Sequence, residues 1–158
     1  MSTRIRPMTR KDKSGVMDVL KTTPQFLPDE VVVAEEVLDC YLDDPSAGYF
    51  TLVAESDHAI AGYVTYGETP LTEGTWDIYW IAVSPHHQKK GIGGALMAAA
   101  ETEIAGKKGR MVMAETSSKL DYADTHRFYV SQGYRLVARI DDFYAPGDDI
   151  VFFQKLVR

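Results

Sequence analysis

Between residues 75 and 106 the hydrophobic pattern changes period across a short loop that carries glycine. Few folds accommodate that change. Residues 75–83 (TWDIYWIAV) are rich in aromatic and β-branched side chains and read as a strand. Ile92, Leu96, Ala100 and Ile104 then recur every fourth residue, the apolar stripe of an amphipathic helix that Gly106 and Gly109 stop. Two more strands come first: YFTLVAES (49–56) and AIAGYVTYGE (59–68) flank Asp57-His58 and predict an antiparallel hairpin. The rest of the chain fits around this centre. Residues 3–8 predict a short first strand, and a first helix runs from about Lys11 to Leu20. Asp29 is expected to cap a second helix with Val33, Val37 and Tyr41 on one stripe, ended by Pro45 and Gly48. RMVMAET (110–116) predicts a strand, and 122–132 a short helix closed by Gly133. Residues 134–144 and 149–157 predict two final strands joined by the turn APGD. The expected class is α/β or α+β, a mixed sheet of about seven strands with about four helices on its faces.

A chain of 158 residues fits one domain over 1–158 and buries enough surface to fold without disulfides or a structural metal. No apolar run reaches the length of a membrane helix, and the N-terminal MSTRIRPMTRKDK lacks the apolar core of a signal peptide. The lone cysteine, Cys40, cannot close an intramolecular disulfide, which fits a reducing compartment. A cytoplasmic protein is the expectation, with no membrane partner. The four histidines show no zinc-type spacing with Cys40, so no metal is expected. A formal charge of −6 argues against nucleic acid and favours cationic partners such as amines. Homodimers are common among proteins of this size, and nothing in the sequence identifies an interface.

The loop between the strand and the helix is the most informative stretch. Gly91 and Gly93 allow a tight turn and close approach of a ligand to the main chain. The first amides of the following helix have no internal partner, and the helix dipole adds partial positive charge there. The result is an anion site for a phosphate or diphosphate, with Lys89 and Lys90 beside it. Two nucleotide readings fail. A dinucleotide fingerprint needs a third glycine where Leu96 stands, and no stretch matches a Walker P-loop.

The segment Gln88-Lys89-Lys90-Gly91-Ile92-Gly93 resembles the acyl-CoA loop of the GNAT superfamily of N-acetyltransferases, whose pattern is [QR]-x-x-G-x-[GA]. The strand WDIYWIAV followed by Ser84-Pro85 is similar to that family's fourth strand. YADTHRFYVSQGY (122–134) is similar to its next signature, an Ala, then Phe-Tyr, then Gly-aromatic. The resemblance covers about 75–157 strongly and 1–70 only in element order. It implies a twisted sheet whose fourth and fifth strands splay apart around the pantothenyl arm of acetyl-CoA, near Ile81, Ala82 and Val83. It also implies that the diphosphate sits on the amides of 88–94, which adds Gly94 to the set. Tyr122 stands where many relatives carry an asparagine that holds the CoA arm.

Direct transfer of an acetyl group to an amine needs a base for the ammonium, a donor for the oxyanion and a proton for the leaving thiolate. It needs no acyl-enzyme, so Cys40 is expected to be an ordinary buried helix residue. The resemblance implies that Tyr129 protonates the sulfur and that the Ile81 amide holds the oxyanion. Asp77, inside an apolar strand, is the first candidate for the base, since a carboxylate there is costly unless paired or at a cleft. Relatives carry a glutamate at the matching place, so a water relay is expected for the shorter aspartate. Strand alternation puts Asp77 and Tyr79 on one face and Trp76, Ile78 and Trp80 on the other. Glu115 is the second candidate; an amine that loses its proton in bulk water needs neither. His86 and His87 receive no role. The cluster Asp141, Asp142, Asp148 and Asp149 is read as solubilising a turn rather than drawing in a cationic amine, and Tyr63, Tyr66 and Tyr79 as core or pocket wall. The expected function is acetyl transfer from acetyl-CoA to a primary amine, small or peptidic, in a ternary complex. The alternative is a catalytically silent acyl-CoA-binding sensor or interaction module.

Overall fold

In the computed structural model, which describes residues 2–158, the strands form one mixed seven-stranded sheet. The elements are β1 (Thr3–Pro7), α1 (Lys13–Thr22), α2 (Pro28–Asp43), β2 (Tyr49–Ser56), β3 (Ala59–Glu68), β4 (Thr75–Val83), α3 (Ile92–Gly106), β5 (Met111–Ser117), α4 (Ala123–Ser131), β6 (Arg135–Ala145) and β7 (Asp148–Leu156). The sheet order is β1-β2-β3-β4-β5-β7-β6. Among the described residues only β4 and β5 run parallel, because α3 returns the chain between them. No helix among the described residues is long and apolar enough to cross a membrane.

Each face of the sheet has its own core. The α3 stripe buries Ile92, Leu96, Ala100 and Ile104 against Trp76, Ile78, Val112 and Phe153, with Tyr129 and Tyr134 closing that layer. On the other face Val16, Leu20, Ala34 and Leu38 of α1 and α2 cover Val53, Tyr63 and Ala82. Several sequence expectations need correction here. Asp29 does not cap α2: Leu27 holds that place, Pro28 opens the helix and Asp29 lies in its first turn. Val33 is 49% exposed, because α2 is apolar on several sides and docks through Ala34 and Leu38 instead. Cys40 is exposed on the same helix.

Strand β4 breaks its own alternation. Thr65 pairs with Trp80 while Tyr66 pairs with Ile78, so Tyr79 is the extra residue of a β-bulge. Before the bulge, Trp76 and Ile78 face α3. After it, Ile81 and Val83 face α3, and Trp80 and Ala82 turn toward α1 and α2. Trp80 therefore does not share the face of Trp76 and Ile78, since one added residue inverts every later side chain.

A buried ion pair fixes the start of the chain. Arg6 donates to both Asp12 oxygens at 2.7 and 2.8 Å, and Thr9 donates its backbone N–H at 2.8 Å. The Arg6 guanidinium holds the Asp12 carboxyl down at about 2, against an ordinary 3.8. A lowered native value stabilises the fold above the ordinary value and loses that effect as pH falls toward 2. Asp12→Asn should cost about 2 kcal/mol in urea unfolding at pH 7, with the gap to wild type narrowing between pH 4 and pH 2.

Candidate active site

Strands β4 and β5 pair only from Thr75↔Met111 to Ile78↔Ala114. Beyond that point β5 continues on β7, with Glu115 opposite Phe152 and Ser117 opposite Ile150. β4 continues on β3 as far as Val83. The main chain from Tyr79 to Val83 thus has no strand on its β5 side. The Tyr79 bulge adds local twist at the same place, which turns β4 away from β5.

One end of this wedge meets the start of α3. Gly91 adopts φ +79°, with open space where a Cβ would stand, and no side chain caps the helix. The first intrahelical bond runs from Ala95 N to Gly91 O at 3.0 Å, so the amides of Ile92, Gly93 and Gly94 have no partner within the helix. Lys89 and Lys90 are exposed beside them, Lys89 at φ +63°. Gln88 donates to the carbonyl of Val83 at 3.3 Å and ties the loop to the end of β4. Gly93 serves a further purpose: a Cβ there would stand 3.0 Å from the ring of Phe128. Its smallness seats α3 against α4. Gly93→Val should lower stability by about 1–3 kcal/mol through that overpacking, and a thermal melt together with acetyl-CoA titration would register it.

The other end of the wedge opens into a cavity of about 510 Å³. Ile78–Ile81 of β4 and Glu115–Ser117 of β5 line it, with Tyr122, Thr125 and Tyr129 on one side and Phe26, Leu27 and Glu30 on another. Tyr129 belongs to the core beneath α3, whereas Trp80 packs on the α1–α2 face. The cavity therefore connects the two faces of the sheet through the gap between β4 and β5. Its margin is latched. Gln25 Nε2 donates to the Asp121 carbonyl at 3.1 Å, and Tyr122 Oη donates to the Gln25 carbonyl at 3.2 Å.

Of the proton-carrying candidates, Tyr129 and Glu115 line this cavity. The Tyr129 ring is 5% exposed and packs on Phe153 and Tyr134, with centroids 5.5 and 5.6 Å away. Burial pushes its phenol well above the ordinary range. Glu115 is the first β5 residue past the last β4–β5 pair. Desolvation raises its carboxyl, and the Asp77 charge raises it further. Asp77 lies inside the paired region, opposite Met113, and accepts the Thr69 hydroxyl at 2.6 Å. It is not among the cavity's lining residues. Tyr79 reaches the cavity, edge-on to Tyr49 at 5.5 Å, while Tyr63 and Tyr66 are core residues. The acidic turn divides. Asp149 pairs with Arg139 at 2.5 Å and accepts the Asp142 amide, and Asp142 accepts that of Gly147. Asp148 instead accepts the Ser117 hydroxyl and lines the cavity. His87 Nδ1 is buried with no partner among the described residues. Glu30, Tyr144 and the Gln25 latch escaped sequence reasoning, because only tertiary folding brings them to β4.

A family model described as an acetyltransferase (GNAT) domain matches residues 47–136. No curated protein matches the sequence. Among solved structures, a GNAT-family protein from Desulfovibrio desulfuricans is 40% identical, with a TM-score of 0.96 over 99% of this chain and 100% of that one. The Salmonella typhimurium protein yncA, solved with acetyl-CoA, is 21% identical, with a TM-score of 0.81 over 100% of this chain and 95% of that one. The ribosomal-protein-S18-alanine N-acetyltransferase of Escherichia coli is 15% identical, with a TM-score of 0.78 over 99% and 94%.

Proposed function

Because this chain belongs to the GNAT acetyltransferase family, we propose that it moves an acetyl group from acetyl-CoA to a primary amine in a ternary complex. The observation that carries this reading is the parting of β4 from β5 after Ile78 and Ala114. That gap joins an anion-binding loop to a cavity holding two proton-carrying side chains. The residues fit the cosubstrate. Amides of Ile92, Gly93 and Gly94 receive the diphosphate, Gln88 holds the loop, and Lys89 and Lys90 supply positive charge. The main chain of Ile81, Ala82 and Val83, which has no strand on its β5 side, receives the extended arm.

The amine enters from the α1–α2 face. Glu115 takes its proton, and the nitrogen lone pair attacks the thioester carbonyl. The Ile81 amide stabilises the oxyanion. As the C–S bond breaks, Tyr129 gives its proton to the sulfur. The raised carboxyl makes Glu115 a stronger base than an ordinary glutamate, and its place past the last strand pair favours it over Asp77. Asp77 acts through Glu115, by its charge.

Acetyl-CoA at a hundred times its Kd should stabilise the fold by about 2.7 kcal/mol, a melting shift of roughly 5–10 °C. ATP and NAD should give none. Free-thiol detection against pooled amines should then show turnover. Stabilisation by a nucleotide but not by CoA, or no thiol release from any amine, would overturn this reading.

A further inference from the structure

The cavity carries more negative charge than proton transfer requires. Glu30, Glu115, Asp121 and Asp148 line it against one ammonium, Lys119. Lys119 already faces Asp148, at 3.6 Å. Glu30 stands apart from the reaction machinery. It lies in the first turn of α2, where a carboxylate favours the helix dipole. That benefit needs no burial, and its neighbour Asp29 provides it while exposed. Glu30 is half-buried. Desolvation raises its carboxyl, and the neighbouring Trp80 offsets part of that rise. Among the described residues no cation pairs with it.

The surroundings of Glu30 are aromatic. Phe26, Trp80, Tyr122 and Tyr144 line the same cavity. The Glu30 charge acts on both tyrosines, and the Tyr144 phenol is pushed up to about 12 by burial together with Glu115, Asp148 and Glu30. A carboxylate among aromatic faces is the chemistry that holds an ammonium or guanidinium, through a charge-assisted hydrogen bond and cation–π attraction. Tyr129 lines the same cavity. Its ring is almost wholly buried. Glu30, Glu115 and Tyr129 thus line one cavity, open to a single occupant that meets all three.

We propose that the acceptor is an amine bearing a second cationic group, which Glu30 holds among the Phe26, Trp80, Tyr122 and Tyr144 rings while the reacting nitrogen meets Glu115 and Tyr129. This rests on the acetyl-transfer reading above and adds a specificity-determining residue to it. The second cation also helps the chemistry, because a nearby positive charge lowers the pKa of the reacting ammonium.

Three acceptors of matched length test it with acetyl-CoA and free-thiol detection: 1,5-diaminopentane, pentylamine and 5-aminopentanoic acid. In the wild type, kcat/KM for the diamine should exceed that for pentylamine by roughly tenfold or more, and the amino acid should be poorest. Glu30→Gln should bring the diamine-to-pentylamine ratio to within about twofold, through the KM of the diamine, without altering the KM of acetyl-CoA. A salt series on the wild type needs no variant: the diamine KM should rise with ionic strength more steeply than that of pentylamine. Turnover with equal preference for the three acceptors, or a preference that survives Glu30→Gln, would overturn the proposal and leave acetyl transfer intact. Absence of thiol release from all three and from the amine pool would overturn the reading on which it rests.

Discussion

Tyr129→Phe should lower kcat about a hundredfold, the lower end of what a positioned acid contributes, and leave acetyl-CoA affinity nearly unchanged. The separation follows from where the residue sits. Its ring is held by Phe153 and Tyr134 on the core side of the cavity, and phenylalanine preserves that packing. What disappears is one hydroxyl of a cavity-lining residue. Burial raises the phenol well above its ordinary value, which at first looks wrong for an acid. The same desolvation would penalise the leaving thiolate, so burial raises both groups together and does not by itself oppose the transfer. On the proposed mechanism, losing the hydroxyl leaves the departing sulfur without its proton donor. The loss should therefore appear in kcat rather than in either KM, and melting should shift by no more than a degree or two. An unchanged kcat would remove Tyr129 from the mechanism.

The legible parts of this fold are those written in local pattern. The β2–β3 hairpin is an example: two residues, Asp57 and His58, both take positive φ, which the two-residue loop between alternating strands demands. The α3 stripe and the glycine before it are equally local, and so are the unpartnered helix-start amides that follow. What escaped reading depends on pairings between distant residues. The place of β7 between β5 and β6 is set by strand registry across the sheet. The turning of Trp80 to the α1–α2 face depends on a bulge at Tyr79, which composition does not mark. Glu30 looks like a helix-start carboxylate until α2 docks beside β4. The choice between Asp77 and Glu115 follows the same logic. Both are carboxylates in apolar strands, and only the point where β4 leaves β5 separates a residue inside the paired region from the first one beyond it.

Glu115→Gln should lower kcat by about 10²–10³-fold at neutral pH and abolish the acid limb of its pH profile. In the wild type that limb has a definite sign. Desolvation and the Asp77 charge raise the Glu115 carboxyl, so its basic form is lost, and the rate falls, at a higher pH than for an ordinary glutamate. Asp77 then has a consequence opposite to that of a second base. Asp77→Asn removes a negative charge and should move the acid limb to lower pH, with a modest change in kcat on the plateau. Were Asp77 the base, the same substitution would abolish the limb instead. A pH series on the two variants separates these outcomes, and persistence of the limb in Glu115→Gln would transfer the role away from Glu115. The geometry explains why one strand pair carries this difference. The parallel ladder holds Asp77 opposite Met113, where Thr69 donates to its carboxylate. Two positions further along β5, Glu115 has lost β4 as a neighbour and lines the cavity.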